Sequence, residues 1–300
     1  ALSSAASDVY KRQFPHSSPR FSFYGSFPCF KKRAIISSTF IPDNPRRIPF
    51  MHFVQCGNPG AKTVIFLHGG GLSTWNFRDE AEILQGRFHI LIPILDGHHG
   101  SDQKFTSIEE NAARIIRYID SRFQGQVFLI AGLSLGGQVL VEMLSQRNNI
   151  CEFAMIESTL ALPTNATAML VKPVFSLFYP LVKKRWYAKL QCKALHIRDS
   201  LFEDYFRDSS QIKKDDMIAF LKANAAYTVK GSLSHCCAKT LVLVGGKERE
   251  IMKKSAKLLR ETIPGSVLEE IPGYYHGDFS LNHPQEFSRK LLDWISDRTQ

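Results

Sequence analysis

The sequence predicts an α/β domain with a mostly parallel central sheet and helices on both faces. Short, strongly apolar runs rich in β-branched residues alternate with helical patterns from residue 51 onward, which is how successive strand–helix units read along a chain. Two glycine-rich turns, His68-Gly69-Gly70-Gly71 and Gly132-Leu133-Ser134-Leu135-Gly136, directly follow such runs. No internal repeat is visible, and the 250 residues after position 50 are ample for one such domain with a real core.

In chain order, 51–55 reads as a first strand. Thr63-Val64-Ile65-Phe66-Leu67 is a continuous apolar run, the mark of a strand covered on both faces. Strand patterns recur at 89–94, 127–132, 152–157, 240–244 and 267–271. Helical stretches are expected near 74–85, 108–121, 136–147, 252–263 and 284–297. The third carries apolar residues at 139, 140, 143 and 144, and the last places Pro284 at its start and Phe287, Leu291, Leu292 and Ile295 on one face. Residues 160–236 interrupt the alternation. Within them 169–182 is apolar and aromatic, but Lys172, Pro173 and Pro180 interrupt it and Lys183-Lys184-Arg185 closes it. It falls short of the ~20 apolar residues a bilayer requires, so short helices roofing a site are expected rather than a membrane span.

Residues 1–50 read differently. Asp8-Val9-Tyr10-Lys11-Arg12-Gln13 back-translates naturally to GAT-GTG-TAT-AAG-AGA-CAG, which resembles the end of a transposon adapter used in sequencing libraries. Residues 14–50 follow with six prolines and no sustained period. They are expected to be a non-native, disordered leader, with Met51 opening the domain. A targeting peptide is the competing reading, but no 7–15-residue apolar core with a small-residue cleavage site follows the basic residues. This segment holds eight of the 38 basic residues and two of the 28 acidic ones, so the net charge of +10 falls to +4 over the remainder. That value is ordinary and gives no nucleic-acid footprint. The six cysteines, at 29, 56, 151, 192, 236 and 237, lack metal-ligand spacing. Their scatter favours a reducing, cytoplasmic setting, and no metal or cofactor is expected.

Three motifs carry chemistry. A strand pattern that breaks into a helix at G-x-S-x-G is a nucleophile elbow: the turn is too tight for side chains two residues either side of Ser134, and it lifts the hydroxyl above the sheet edge. The helix after it aims its N-terminal N–H groups at the same place. At 68–71 glycines allow backbone N–H groups to approach a ligand oxygen. By alignment with the elbow motif's usual geometry, in which the residue after the nucleophile and the loop after an earlier strand hold the oxyanion, Leu135 and Gly70 are the expected donors. His276, in a loop after the last strand pattern and downstream of the serine, is the expected general base.

Together these residues resemble the α/β-hydrolase superfamily, in its group of capped, single-domain, esterase-like serine hydrolases. The resemblance runs from about Met51 to the C-terminus. It includes Asp96-Gly97-His98-His99-Gly100-Ser101, similar to that family's D-x-x-G-H-G-x-S loop with altered spacing; His98 and His99 read as turn residues buttressing the site. The resemblance implies a core of residues 51–159 and 237–300, with a helical cap at 160–236 inserted after the sixth strand. It also implies an acid in the loop after 240–244, where Glu248 holds the place commonly taken by aspartate. Glu157, at the end of an earlier strand, is the rival, and Glu250 and Asp278 are further alternatives. Trp186, Tyr187 and Phe206 are candidates for lining a pocket or for the cap's own core. The function expected is hydrolysis of an uncharged, small-molecule ester through an acyl-enzyme on Ser134. Carbon–carbon, lactone, thioester and amide bonds stay open on the same triad, as does a ligand receptor on the same fold.

Overall fold

Every residue of Thr63–Leu67 and of Val127–Leu133 is buried, as continuous apolar runs require when helices cover both faces of a sheet. The computed structural model describes residues 51–297. There these runs are β2 and β4 of a seven-stranded sheet, with β1 (Phe53–Cys56), β3 (His89–Pro93), β5 (Cys151–Glu157), β6 (Lys239–Gly245) and β7 (Val267–Ile271). The strand order is β1-β3-β2-β4-β5-β6-β7. Only β1 is antiparallel, pairing with β3; every other pair is parallel. Alternate residues of β2 serve two cores. Ile65 and Leu67 face one, and Val64 and Phe66 face the other.

The first core is covered by α2 (Ile108–Phe123), α3 (Leu135–Gln146) and α8 (Glu250–Thr262). The second is covered by α1 (Arg78–Leu84), α9 (Asp278–Asn282) and α10 (Pro284–Ser296). Helix α2 starts where Ser107 accepts a hydrogen bond from the Glu110 N–H and stops at Gln124, whose φ of 56° turns the chain out of the helix. The strand and helix positions expected from periodicity are thus recovered to within a few residues. Residues 1–50, with the expectation of a disordered leader, lie outside the described residues.

Between β5 and β6 run four helices: α4 (Asn165–Val182), α5 (Arg185–Ala194), α6 (Phe202–Ser209) and α7 (Lys214–Ala226). This insertion follows the fifth strand among the described residues, not a sixth, because a single strand, β1, precedes β2 here. A second correction concerns 169–182. It is not a set of short helices broken at proline: Asn165–Val182 is one 18-residue helix with Pro173 and Pro180 inside it, long and apolar enough by length and composition to cross a membrane. Each proline removes one backbone donor. Helix α4 tolerates this because tertiary contacts hold its inner edge. Ala168, Val171 and Val182 are buried, and the Tyr179 hydroxyl donates to the Ile212 carbonyl at 2.8 Å. Gln138 fastens the insertion to α3: its Nε2 donates to the carbonyls of Leu160 and Asn224, and its Oε1 accepts from Asn224 Nδ2.

Candidate active site

Ser134, His276 and Glu248 meet at the C-terminal ends of the parallel strands, where open α/β sheets collect their ligands. Ser134 follows β4 with φ 53° and ψ −111°, a left-handed backbone that costs a non-glycine residue energy. The flanking glycines make that conformation possible. A Cβ on Gly132 would lie 2.5 Å from the Gly136 carbonyl oxygen, and one on Gly136 would collide with the Leu67 and His68 carbonyls. The Ser134 N–H donates to the Glu157 carbonyl at 2.9 Å, and the Ser134 carbonyl accepts from Gln138 N at 2.9 Å. The strained turn is therefore held from both sides.

His276, in the loop after β7, places Nε2 3.1 Å from Ser134 Oγ. Its Nδ1 lies 2.8 Å from Glu248 Oε2. Glu248, in the loop after β6, can only accept, so Nδ1 carries the proton and Nε2 is free to receive the serine's. The carboxylate of Glu248 is fully buried. Its other oxygen accepts from Gly245 N at 2.8 Å and from the Ser158 hydroxyl at 2.7 Å. Burial alone would raise this carboxyl's pKa; His276 first, then the Gly245 N–H and the Ser158 hydroxyl, outweigh it and hold it below the ordinary range. Ser158 also accepts from Gly277 N at 3.1 Å, so one hydroxyl joins the acid's loop to the histidine's.

Glu157 does not reach His276. Its Oε1 accepts from Ser280 N at 3.1 Å, at the start of α9, while Oε2 is buried without a partner. Burial pushes its pKa up to about 7. Glu250 begins α8. Asp278 accepts from Tyr275 N and Asn282 Nδ2, which makes it a clip within the histidine loop.

The glycine loop after β2 is pinned on either side of Gly70. Gly69 N donates to Asn76 Oδ1 at 3.1 Å and Gly71 N to His98 Nε2 at 3.0 Å. His98 Nδ1 is 3.1 Å from the Asp96 carbonyl, which fixes its tautomer, and its ring stacks on Phe220 of α7 at 4.7 Å. His68 Nε2 accepts from Leu95 N at 3.2 Å. Burial lowers the pKa of both rings, to about 4 for His68 and about 3 for His98, so both are neutral tethers. Gly70 itself faces Leu135 and Phe220: a Cβ there would lie 3.4–3.5 Å from both side chains. The N–H groups of Gly70 and Leu135 thus belong to neighbouring backbone segments beside Ser134.

Of the suggested pocket residues, Trp186 is exposed and edge-on to Tyr187, while Phe206 stacks on Phe202 beneath the Arg185 guanidinium. Tyr187 packs against the core that holds Leu135 and Phe220, Phe206 packs against the other core, and Phe220 of the insertion lies against Gly70. Sequence reading missed Phe220, Ser158 and Gln138; His98 was expected to buttress the site and does so through Gly71 N. The sole hint at Ser158 was its place directly after a strand. Among the described residues, no group of three or more His, Cys, Asp or Glu is placed to hold a metal ion.

An Alpha/beta hydrolase family model matches residues 64–290. The uncharacterized hydrolase YugF of Bacillus subtilis strain 168 is 21% identical over 262 residues, spanning 82% of this chain and 93% of that protein. The structure superimposes on a thermophilic esterase from Thermogutta terrifontis with a TM-score of 0.68 at 18% identity, covering 82% of this chain and 94% of that one. It superimposes on the enol-lactonase of Burkholderia xenovorans LB400 with a TM-score of 0.66 at 15% identity, covering 82% and 96%.

Proposed function

Since the chain belongs to the alpha/beta hydrolase family, we propose that it is a serine hydrolase that cleaves an uncharged ester through a covalent acyl-enzyme on Ser134. The observation that carries this reading is the unbroken row Ser134 Oγ–His276 Nε2, His276 Nδ1–Glu248 Oε2, at 3.1 and 2.8 Å.

In the first half-reaction, Ser134 Oγ attacks the ester carbonyl carbon as its proton passes to His276 Nε2. The carbonyl oxygen becomes an oxyanion, held by the N–H groups of Leu135 and Gly70; one such donor is worth about 3–4 kcal/mol in the transition state. Glu248 stabilises the imidazolium that forms. The intermediate then expels the alcohol, which takes its proton from Nε2. In the second half-reaction His276 removes a proton from water, the resulting hydroxide attacks the acyl carbon, and collapse returns the proton to Ser134 Oγ and frees the acid. The apolar neighbours of Gly70, Leu135 and Phe220, support an uncharged acyl part.

Turnover of short- and medium-chain p-nitrophenyl esters, measured beside Ser134→Ala, tests the proposal. A fluorophosphonate should add to Ser134, Ser134→Ala should abolish labelling, and His276→Ala should slow it greatly. An adduct mapped to another residue, or labelling without turnover of any acyl substrate, sinks the reading; the latter result would fit a receptor.

A further inference from the structure

Nine large apolar side chains are more than a third exposed among the described residues, and eight of them lie between positions 169 and 195. Five belong to α4: Met169, Leu170, Val174, Leu177 and Phe178, with Met169 at 78% and Leu177 at 72% exposure. At 100° per residue these five fall within one half of the helix circumference. The opposite edge is occupied: Ala168, Val171 and Val182 are buried, and Phe175 and Tyr179 pack against the main core. Trp186 and Leu190 continue the exposure on α5, which begins three residues after α4 ends. Scattered apolar residues on a surface are ordinary, whereas a run confined to one element marks an interaction site.

Charge identifies what it meets. Residues 165–198 contain seven Lys or Arg and no Asp or Glu. Arg185 and Arg198 pair with Glu203 and Asp79. Lys172, Lys183, Lys184, Lys189 and Lys193 are exposed beside the apolar side chains and make no ion pair among the described residues. A second copy of this face would oppose lysine to lysine, since a two-fold interface is self-complementary. A membrane-spanning placement would strip α4 from the core its inner edge fills.

We propose that the outer face of α4 and α5 is a docking surface for a bilayer carrying anionic headgroups. The apolar side chains enter the headgroup–acyl boundary and the lysines meet lipid phosphates, with α4 lying in the interface plane. This inference is independent of the esterase reading, because it involves neither Ser134 nor His276.

The chain carries its own reporter. Trp75 and Trp294 are buried, and Trp186 is 57% exposed. The full chain is mixed with vesicles of phosphatidylcholine containing phosphatidylglycerol, and with phosphatidylcholine alone. Tryptophan emission should shift to the blue and the protein should sediment with the anionic vesicles, less so as salt rises. Met169→Asp with Leu177→Asp, and separately Lys183→Glu with Lys184→Glu, should each lower partitioning by on the order of tenfold, with the thermal transition retained as the check on folding. Failure to bind anionic vesicles overturns the proposal. So does binding that survives in both double variants, as it would if the basic residues of 1–50 carried it. A dimer seen by light scattering that Met169→Asp with Leu177→Asp dissociates, without vesicle binding, assigns the face to a second copy instead.

Discussion

Two buried glutamates, at the ends of neighbouring strands, are put to opposite uses by their surroundings. Glu248 is surrounded by donors and stays ionised; Glu157 has one backbone donor and burial enough to hold its proton near neutrality. Glu248→Gln should reduce kcat by about 10⁴, the loss that follows when a triad acid becomes an amide, with the fold kept. Glu157→Gln should leave turnover within a few-fold, and the opposite ranking would move the acid to β5. Stability separates the two as well. Because the Glu157 pKa is raised to about 7, the folded protein holds a proton that the unfolded chain releases above about pH 4.5. Its contribution to stability is full below that pH and is lost as pH rises toward 7, so Glu157→Gln should gain on the native chain across that window in urea melts. Ser134 and His276 were legible in the sequence because glycine spacing and chain order are local signals. Ser158 was not, since its partners lie 90 and 119 positions away.

At the scale of elements, the loop after β2 is held by side chains from elsewhere. His98→Ala leaves the Gly71 N–H without its acceptor and loosens the neighbouring Gly70 segment. On the proposed mechanism kcat should therefore fall about 10- to 100-fold with KM changed little, less than the ~10²–10³ that follows outright loss of one oxyanion donor. A change confined to KM would mean the tether only shapes the binding surface. His68 and His98 also set an acid limit. The unfolded chain binds protons at both rings near pH 6.5, but the folded chain only near pH 4 and 3. Their contribution is present above about 6.5 and is lost as pH falls toward 4. The urea midpoint of the native chain should fall over that window, and His68→Gln with His98→Gln should flatten the decline. Strands and helices were legible to within a few residues because hydrophobic period is itself local. Helix α4 was misjudged because proline is a local signal, and the contacts at Val171 and Val182 that override it are not.

For the whole molecule, the charge ledger and the pattern break at Met51 lead to a plain expectation: a chain beginning at Met51 should fold and keep the turnover of the full chain. Insolubility, or loss of the thermal transition, would place residues 1–50 within the fold. That measurement decides where the fold begins; the exposed surface of α4 and α5 could not be read from the sequence, because exposure is a property of packing.

Ser134 and His276 touch across 142 positions of sequence, and the groups around them come from loops after β2, β4, β6 and β7. On the proposed mechanism, the serine leaves the ribosome long before its base, and through that interval it is only an unactivated alcohol. A fragment ending before residue 276 should be inert toward the fluorophosphonate even where β1 to β6 have paired. On that mechanism, reactivity at Ser134 dates the arrival of the His276 loop after β7, and a probe that labels this serine counts the molecules that carry it.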